Sequence, residues 1–118
     1  MKLTRQESAD TRQLLFHGMD EICDQAYTSV AADLPQIVAA IRALNPDAKI
    51  VLLGYTNPVP MLPAWNSYFK KLNSFAKGLA AQEGLVYVPI PRAQTAADGH
   101  PTVKGHKYIA QQILNALQ

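Results

Sequence analysis

Two short apolar runs constrain this chain more than any other feature: Lys49-Ile50-Val51-Leu52-Leu53-Gly54-Tyr55 and Leu85-Val86-Tyr87-Val88-Pro89-Ile90. Each is continuous rather than alternating, the pattern of a parallel strand covered by helices on both faces. Between them, residues 64–83 carry Tyr68, Leu72, Phe75 and Leu79 at helical spacing, and Gly84 follows as an expected left-handed C-terminal cap. Strand, helix, strand in that order implies a parallel pair joined by a right-handed crossover.

The flanks extend the same alternation. Residues 10–45 read as one long or two consecutive helices, with Leu34, Ile37, Val38, Ile41 and Leu44 at the spacing of a buried face. Pro35 is expected near a helix start or at a kink, because a mid-helix proline loses a hydrogen bond. Asn45-Pro46-Asp47-Ala48 reads as a turn, and Pro58, Pro60 and Pro63 make 56–63 an irregular loop. A polar loop over 91–101 leads to a last helix capped by Thr102, with Ile109, Ile113 and Leu117 on its apolar side.

Residues 1–118 are therefore expected to form a single α/β domain. Two strands make a poor sheet, since both outer edges stay unpaired. Either a strand lies within residues 1–10 or another chain supplies the missing ones, so a homodimer or a complementing N-terminal fragment is expected.

Composition removes several classes of function. The 118 residues are 48% apolar and 17% charged, the balance of a globular domain, and a net charge of +2 without a basic run argues against nucleic acid. Cys23 is the only cysteine, which excludes an internal disulfide and a cysteine-based metal site. Met1-Lys2-Leu3-Thr4-Arg5-Gln6-Glu7 lacks the apolar core of a signal peptide, and no apolar run is long enough for a transmembrane segment. The glycines form no phosphate-binding loop. His17 with Asp20, Glu21 and Asp24 could suggest a metal, but a solvated helix face is the plainer reading of that cluster.

The stretch with chemical content is Ala97-Asp98-Gly99-His100-Pro101-Thr102-Val103-Lys104-Gly105-His106. Loops leaving the C-terminal ends of parallel strands line the ligand crevice of an open α/β sheet. A histidine there, with a carboxylate two residues before it, suits a general base whose ring is oriented by the acid. Asp-Gly-His-Pro-Thr, then Gly-His and an apolar helix, resembles the last conserved block of the SGNH (GDSL-type) hydrolases. Upstream, 41–50 together with Leu53-Gly54-Tyr55-Thr56-Asn57-Pro58 is similar to that family's helix-to-strand segment, so the resemblance covers roughly residue 30 onward.

The resemblance implies a three-layer α/β/α, flavodoxin-like fold with a short and incomplete parallel sheet, corresponding to the family's C-terminal part. It implies carboxylic-ester hydrolysis with His100 as the catalytic base and Asp98 as its acid partner, no metal or organic cofactor, and an ester of a lipid or an acylated carbohydrate as substrate. The family's acid stands three residues before the histidine, where this chain has Ala97. The family's nucleophile follows Gly-Asp on a first strand, and none of Ser8, Ser29, Ser67 or Ser74 has that setting. A catalytically inactive remnant or binding module is the alternative. Tyr55 and Asn57, at the end of the first strand, are candidate substrate-binding residues, with packing or turn roles as the plain alternative. Trp65, Tyr68 and Phe69 could line an acyl pocket, although aromatics at helical spacing are usually core. His106 reads as a surface residue of the first helical turn.

Overall fold

The computed structural model describes residues 4–118, with the backbone alone at 11, 13 and 14. Its elements run α1 (Arg5–Leu44), β1 (Val51–Leu53), α2 (Pro63–Glu83), β2 (Val86–Val88), a 3-10 turn (Arg92–Gln94) and α3 (Val103–Leu117). The result is an incomplete α/β fold, helices around a two-stranded parallel sheet.

Helix α1 is a single helix of 40 residues, starting five residues before the expected position. Thr4 and Glu7 account for the start. The Thr4 hydroxyl accepts from the Glu7 N–H at 3.1 Å, and the Glu7 carboxylate accepts from the Thr4 N–H at 2.8 Å, a reciprocal capping box. The strand sought within 1–10 is accordingly helix from Arg5 onward, and residues 1–3 lie outside the described ones. Pro35 lies inside the helix rather than at a start.

In register, Val51, Leu52 and Leu53 face Val86, Tyr87 and Val88. Both strands are shorter than the apolar runs that announced them, for local reasons. The Asn73 carboxamide takes both backbone groups of Tyr55, accepting from its N–H and donating to its carbonyl, each at 2.8 Å. Strand β2 ends at Val88, just before Pro89.

Helix α2 opens on Pro63 at its first turn, where a missing N–H costs nothing, and ends on Gly84 with φ 68° and ψ 35°. It packs on both strands and beside α1, while α3 packs on β2 and the 3-10 turn. The core is small: Cys23 and Val38 from α1, Leu72, Ala76, Leu79 and Ala80 from α2, Val88 from β2 and Ile109 from α3 are its main members. Tyr27 meets Phe75 edge-on and takes the Lys71 ammonium over its ring, which ties α1 to α2. The buried stripe expected on α1 is only partly realised. Val38 is buried and Leu34 half-buried, but Ile37, Ile41 and Leu44 stay exposed because no element covers that side of the helix.

Candidate active site

The loop between β2 and α3 is built to hold its histidine. Gly99 sits at φ 82°, a conformation that glycine adopts without steric cost, and this turns the chain so that Asp98 and His100 face each other. The Ala96 N–H donates to the His100 carbonyl at 2.8 Å and the Gly99 N–H to the Ala96 carbonyl at 3.0 Å. Thr95 and Pro101 form an antiparallel bridge below the turn. The Thr102 N–H then reaches the Gln94 carbonyl at 3.1 Å, and the Thr102 hydroxyl caps α3 by accepting from the Gly105 N–H at 3.0 Å. Gly105 lies so close to this loop that a Cβ would run into the Gln94 carbonyl oxygen.

Within that frame the Asp98 carboxylate makes two contacts with one residue. One oxygen accepts from the His100 backbone N–H at 3.1 Å, and the other lies 3.2 Å from His100 Nδ1. The spacing of two residues, one short of the family's three, therefore still brings carboxylate and ring together. The His100 N–H, first, and the imidazole, second, hold the Asp98 carboxyl below its ordinary value of 3.8. Both side chains are largely in solvent, His100 at 83% and Asp98 at 68% exposure. An imidazole engaged at Nδ1 leaves Nε2 to exchange a proton with a reacting group.

The loop after β1 meets this turn. A Cβ at Gly99 would stand 2.9 Å from the Pro58 Cβ, so the two loops touch at that point. Thr56 donates to the Ile90 carbonyl at 2.6 Å, and Arg92 donates to the Asn57 carbonyl at 2.6 Å. A groove of about 380 Å³ runs along β1, with Leu53, Tyr55, Gly99 and Pro101 in its wall, so the residues on either side of His100 border it. Tyr55 is exposed on this groove. Asn57 is engaged otherwise: its carboxamide donates to Asn66 at 2.6 Å and accepts from the Val59 N–H at 2.8 Å, bracing the loop. Trp65, Tyr68 and Phe69 form a half-buried cluster on the first turns of α2, with ring centroids 5.0–6.3 Å apart. Burial raises the Tyr68 phenol above its ordinary value.

Ser8 and Ser29 lie on α1, Ser67 and Ser74 on α2, and no described hydrogen bond joins any of them to His100. On the exposed face of α1, His17 pairs with Glu21 at 3.2 Å while Asp24 turns to Lys71 at 3.9 Å. Two positioning residues went unnoticed in the sequence. Asn73 clasps Tyr55, and its one available signal was a poor helix former in mid-helix. Arg92 ties the two loops together and left no signal, since an arginine in a polar loop is ordinary.

The structure thus brings His100 and Asp98 together on a loop beside the parallel sheet. The profile of the GDSL-like Lipase/Acylhydrolase family matches residues 6–108, and the chain belongs to that family. Esterase- or lipase-type hydrolysis is the general activity this membership supports. No curated protein and no solved structure gave a significant match to the chain. Among the described residues, no helix is long and apolar enough to cross a membrane.

Proposed function

We propose that this chain supplies the histidine–aspartate half of a serine ester hydrolase, with His100 as proton shuttle and Asp98 as the acid that orients it. The observation that carries the reading is the Asp98–His100 contact at 3.2 Å, in a loop that borders the groove along β1. A serine presented to His100 Nε2 gives up its proton as its oxygen attacks the ester carbonyl. The imidazolium, stabilised by Asp98, then protonates the departing alcohol and leaves an acyl-serine. Water repeats the sequence: its proton goes to Nε2, the carboxylic acid departs, and the serine recovers its proton. Tyr55 flanks the bound ester from the strand end, and Asn57 shapes the loop beside it. The ester of a lipid or of an acylated carbohydrate is the substrate class.

The serine is the missing reactant. None of the four serines has a described hydrogen bond to His100, which favours, for the chain by itself, the non-catalytic alternative of a scaffold with a groove. Two assays separate these readings. By itself, the chain is expected to give no turnover of a short-chain chromogenic ester. Joined to a family N-terminal segment bearing Gly-Asp-Ser, it is expected to hydrolyse the ester. His100→Ala should then lower the rate about 10²–10⁴-fold, the usual range for a lost general base. Reconstituted activity indifferent to His100, or activity of the lone chain abolished at one of its own serines, overturns the assignment.

A further inference from the structure

Helix α1 gives the molecule its length, 62 Å along the longest axis, but the contacts that bear on the site run through α2. Two asparagines of α2, Asn66 and Asn73, stand seven residues apart in sequence and so within about 20° of one another around the helix. Each spends both ends of its carboxamide on the segment that leaves β1. Asn73 holds the two backbone groups of Tyr55. Asn66 accepts from the Asn57 carboxamide at 2.6 Å and donates to the Pro60 carbonyl at 2.5 Å. Asparagine is a poor helix former away from a cap, and neither of these caps α2. What they have in common is that they fasten residues 55–60 to the helix.

Those residues need fastening from outside. Pro58 and Pro60 have no N–H to give. Among the described residues, the backbone of 56–63 makes one hydrogen bond within itself, from the Leu62 N–H to the Val59 carbonyl at 3.1 Å. Asn57 is where the fastenings meet. Its carbonyl accepts from Arg92 at 2.6 Å, its carboxamide oxygen accepts from the Val59 N–H at 2.8 Å, and its carboxamide nitrogen donates to Asn66. Arg92 belongs to the same loop as His100, so it ties the two loops to each other. Asn66 belongs to a helix that packs on both strands, so it ties them to the sheet.

The next residue, Pro58, carries this anchorage to the catalytic pair. Its Cβ lies 2.9 Å, its Cα 3.3 Å and its nitrogen 3.4 Å from where a Cβ on Gly99 would stand. Gly99 links Asp98 to His100, and its φ of 82° sets their contact. Glycine is free to leave such an angle, since no side chain restricts it. A proline of fixed φ, packed where that side chain would be, limits the freedom. The need is catalytic as well as local. A base and a nucleophile drawn from different parts of a fold must share one frame, because a misplacement of about 1 Å costs on the order of 100-fold in rate.

We infer that Asn66 is a positioning residue of the active site, acting through Asn57 and Pro58 on the turn that carries Asp98 and His100. The inference rests on the catalytic reading above for what is positioned, and adds the residue that positions it. Asn57 is then a relay rather than a substrate ligand, since both ends of its carboxamide are already engaged.

The test uses the full chain, isotope-labelled, and reads the Asp98 carboxyl titration, the His100 imidazole nitrogens and the urea midpoint together. Asn66→Ala is expected to move the Asp98 titration up toward its ordinary 3.8 and to shift the His100 nitrogen signals. Pro58→Gly, which removes the contacting Cβ and leaves Asn66 intact, should shift the same signals in the same direction. Tyr27→Leu loosens α1 on α2 away from the loop, so it should lower the urea midpoint and leave those signals in place. Signals that stay in place in Asn66→Ala or in Pro58→Gly overturn the inference, because the loop then braces itself and nothing further. A Tyr27→Leu variant that moves them as far overturns it too, since general loosening would account for both. An Asp98 that titrates at its ordinary value in the native chain removes the pair, and with it both the positioning and the catalytic reading.

Discussion

Asp98 and His100 show how much one backbone angle can decide. The pair was legible in the sequence as residue types in a plausible order, but its geometry was not. Ala97 stands where the family has its acid, and only the turn at Gly99, with φ 82°, brings the Asp98 carboxylate to Nδ1. A prediction belongs to this scale. The Asp98 carboxyl should titrate below 3.8, with the His100 backbone N–H as the largest single cause and the ring adding to it. His100→Ala keeps that N–H and should therefore leave part of the depression in place, read from the carboxyl carbon in an NMR titration. A return to the ordinary value would make the ring the main influence. The sign for stability follows from the depressed value. Asp98 helps hold the loop above its unfolded value near 3.8, and that help is lost as pH falls through the lower folded value.

Elements were read more faithfully where a local signal and a tertiary contact agree. Gly84 ends α2 and Thr102 begins α3 as the sequence suggests, because a left-handed cap and a hydroxyl cap act within a few residues. Thr4 and Glu7 formed an equally local signal for the start of α1, a capping box that precedes the apolar periodicity. The stripe on α1 failed as a guide to the core for a different reason. Periodicity shows that a face is apolar, not that this chain supplies its cover, and Ile37 and Leu44 remain open. Asn73 was illegible because its effect on β1 acts across 18 positions of sequence. The caps allow a test at this scale. Thr102→Ala should destabilise the fold by about 1 kcal/mol, and Thr102→Ser should restore most of it, measured as the urea midpoint. No loss with alanine would mean that the Gly105 N–H is satisfied elsewhere.

At the scale of the molecule, the alternation of helical and strand patterns along the chain was enough for the α/β class and the parallel pairing, since these depend on order and burial alone. The elongation was not legible there, because nothing in a helical pattern says how far a helix outruns its neighbours. If the homodimer expected from the sequence forms as the chain folds, stability depends on concentration. At about 0.7 kcal/mol of unfolding enthalpy per residue, the melting temperature of a dimer of this chain should rise by about 3 °C for each tenfold increase in protein. A melting temperature independent of concentration would show that each chain folds alone.

Asn73 and Pro89 carry one more consequence. Open sheet edges invite growth without limit, and many chains with such an edge end as fibrils. Here the clasp on Tyr55 stops any added strand after a few residues, and the proline leaves the opposite side with a single residue to offer. Any strand added at either edge therefore finds few residues to pair with, and the same short sheet that leaves the molecule incomplete limits growth along it.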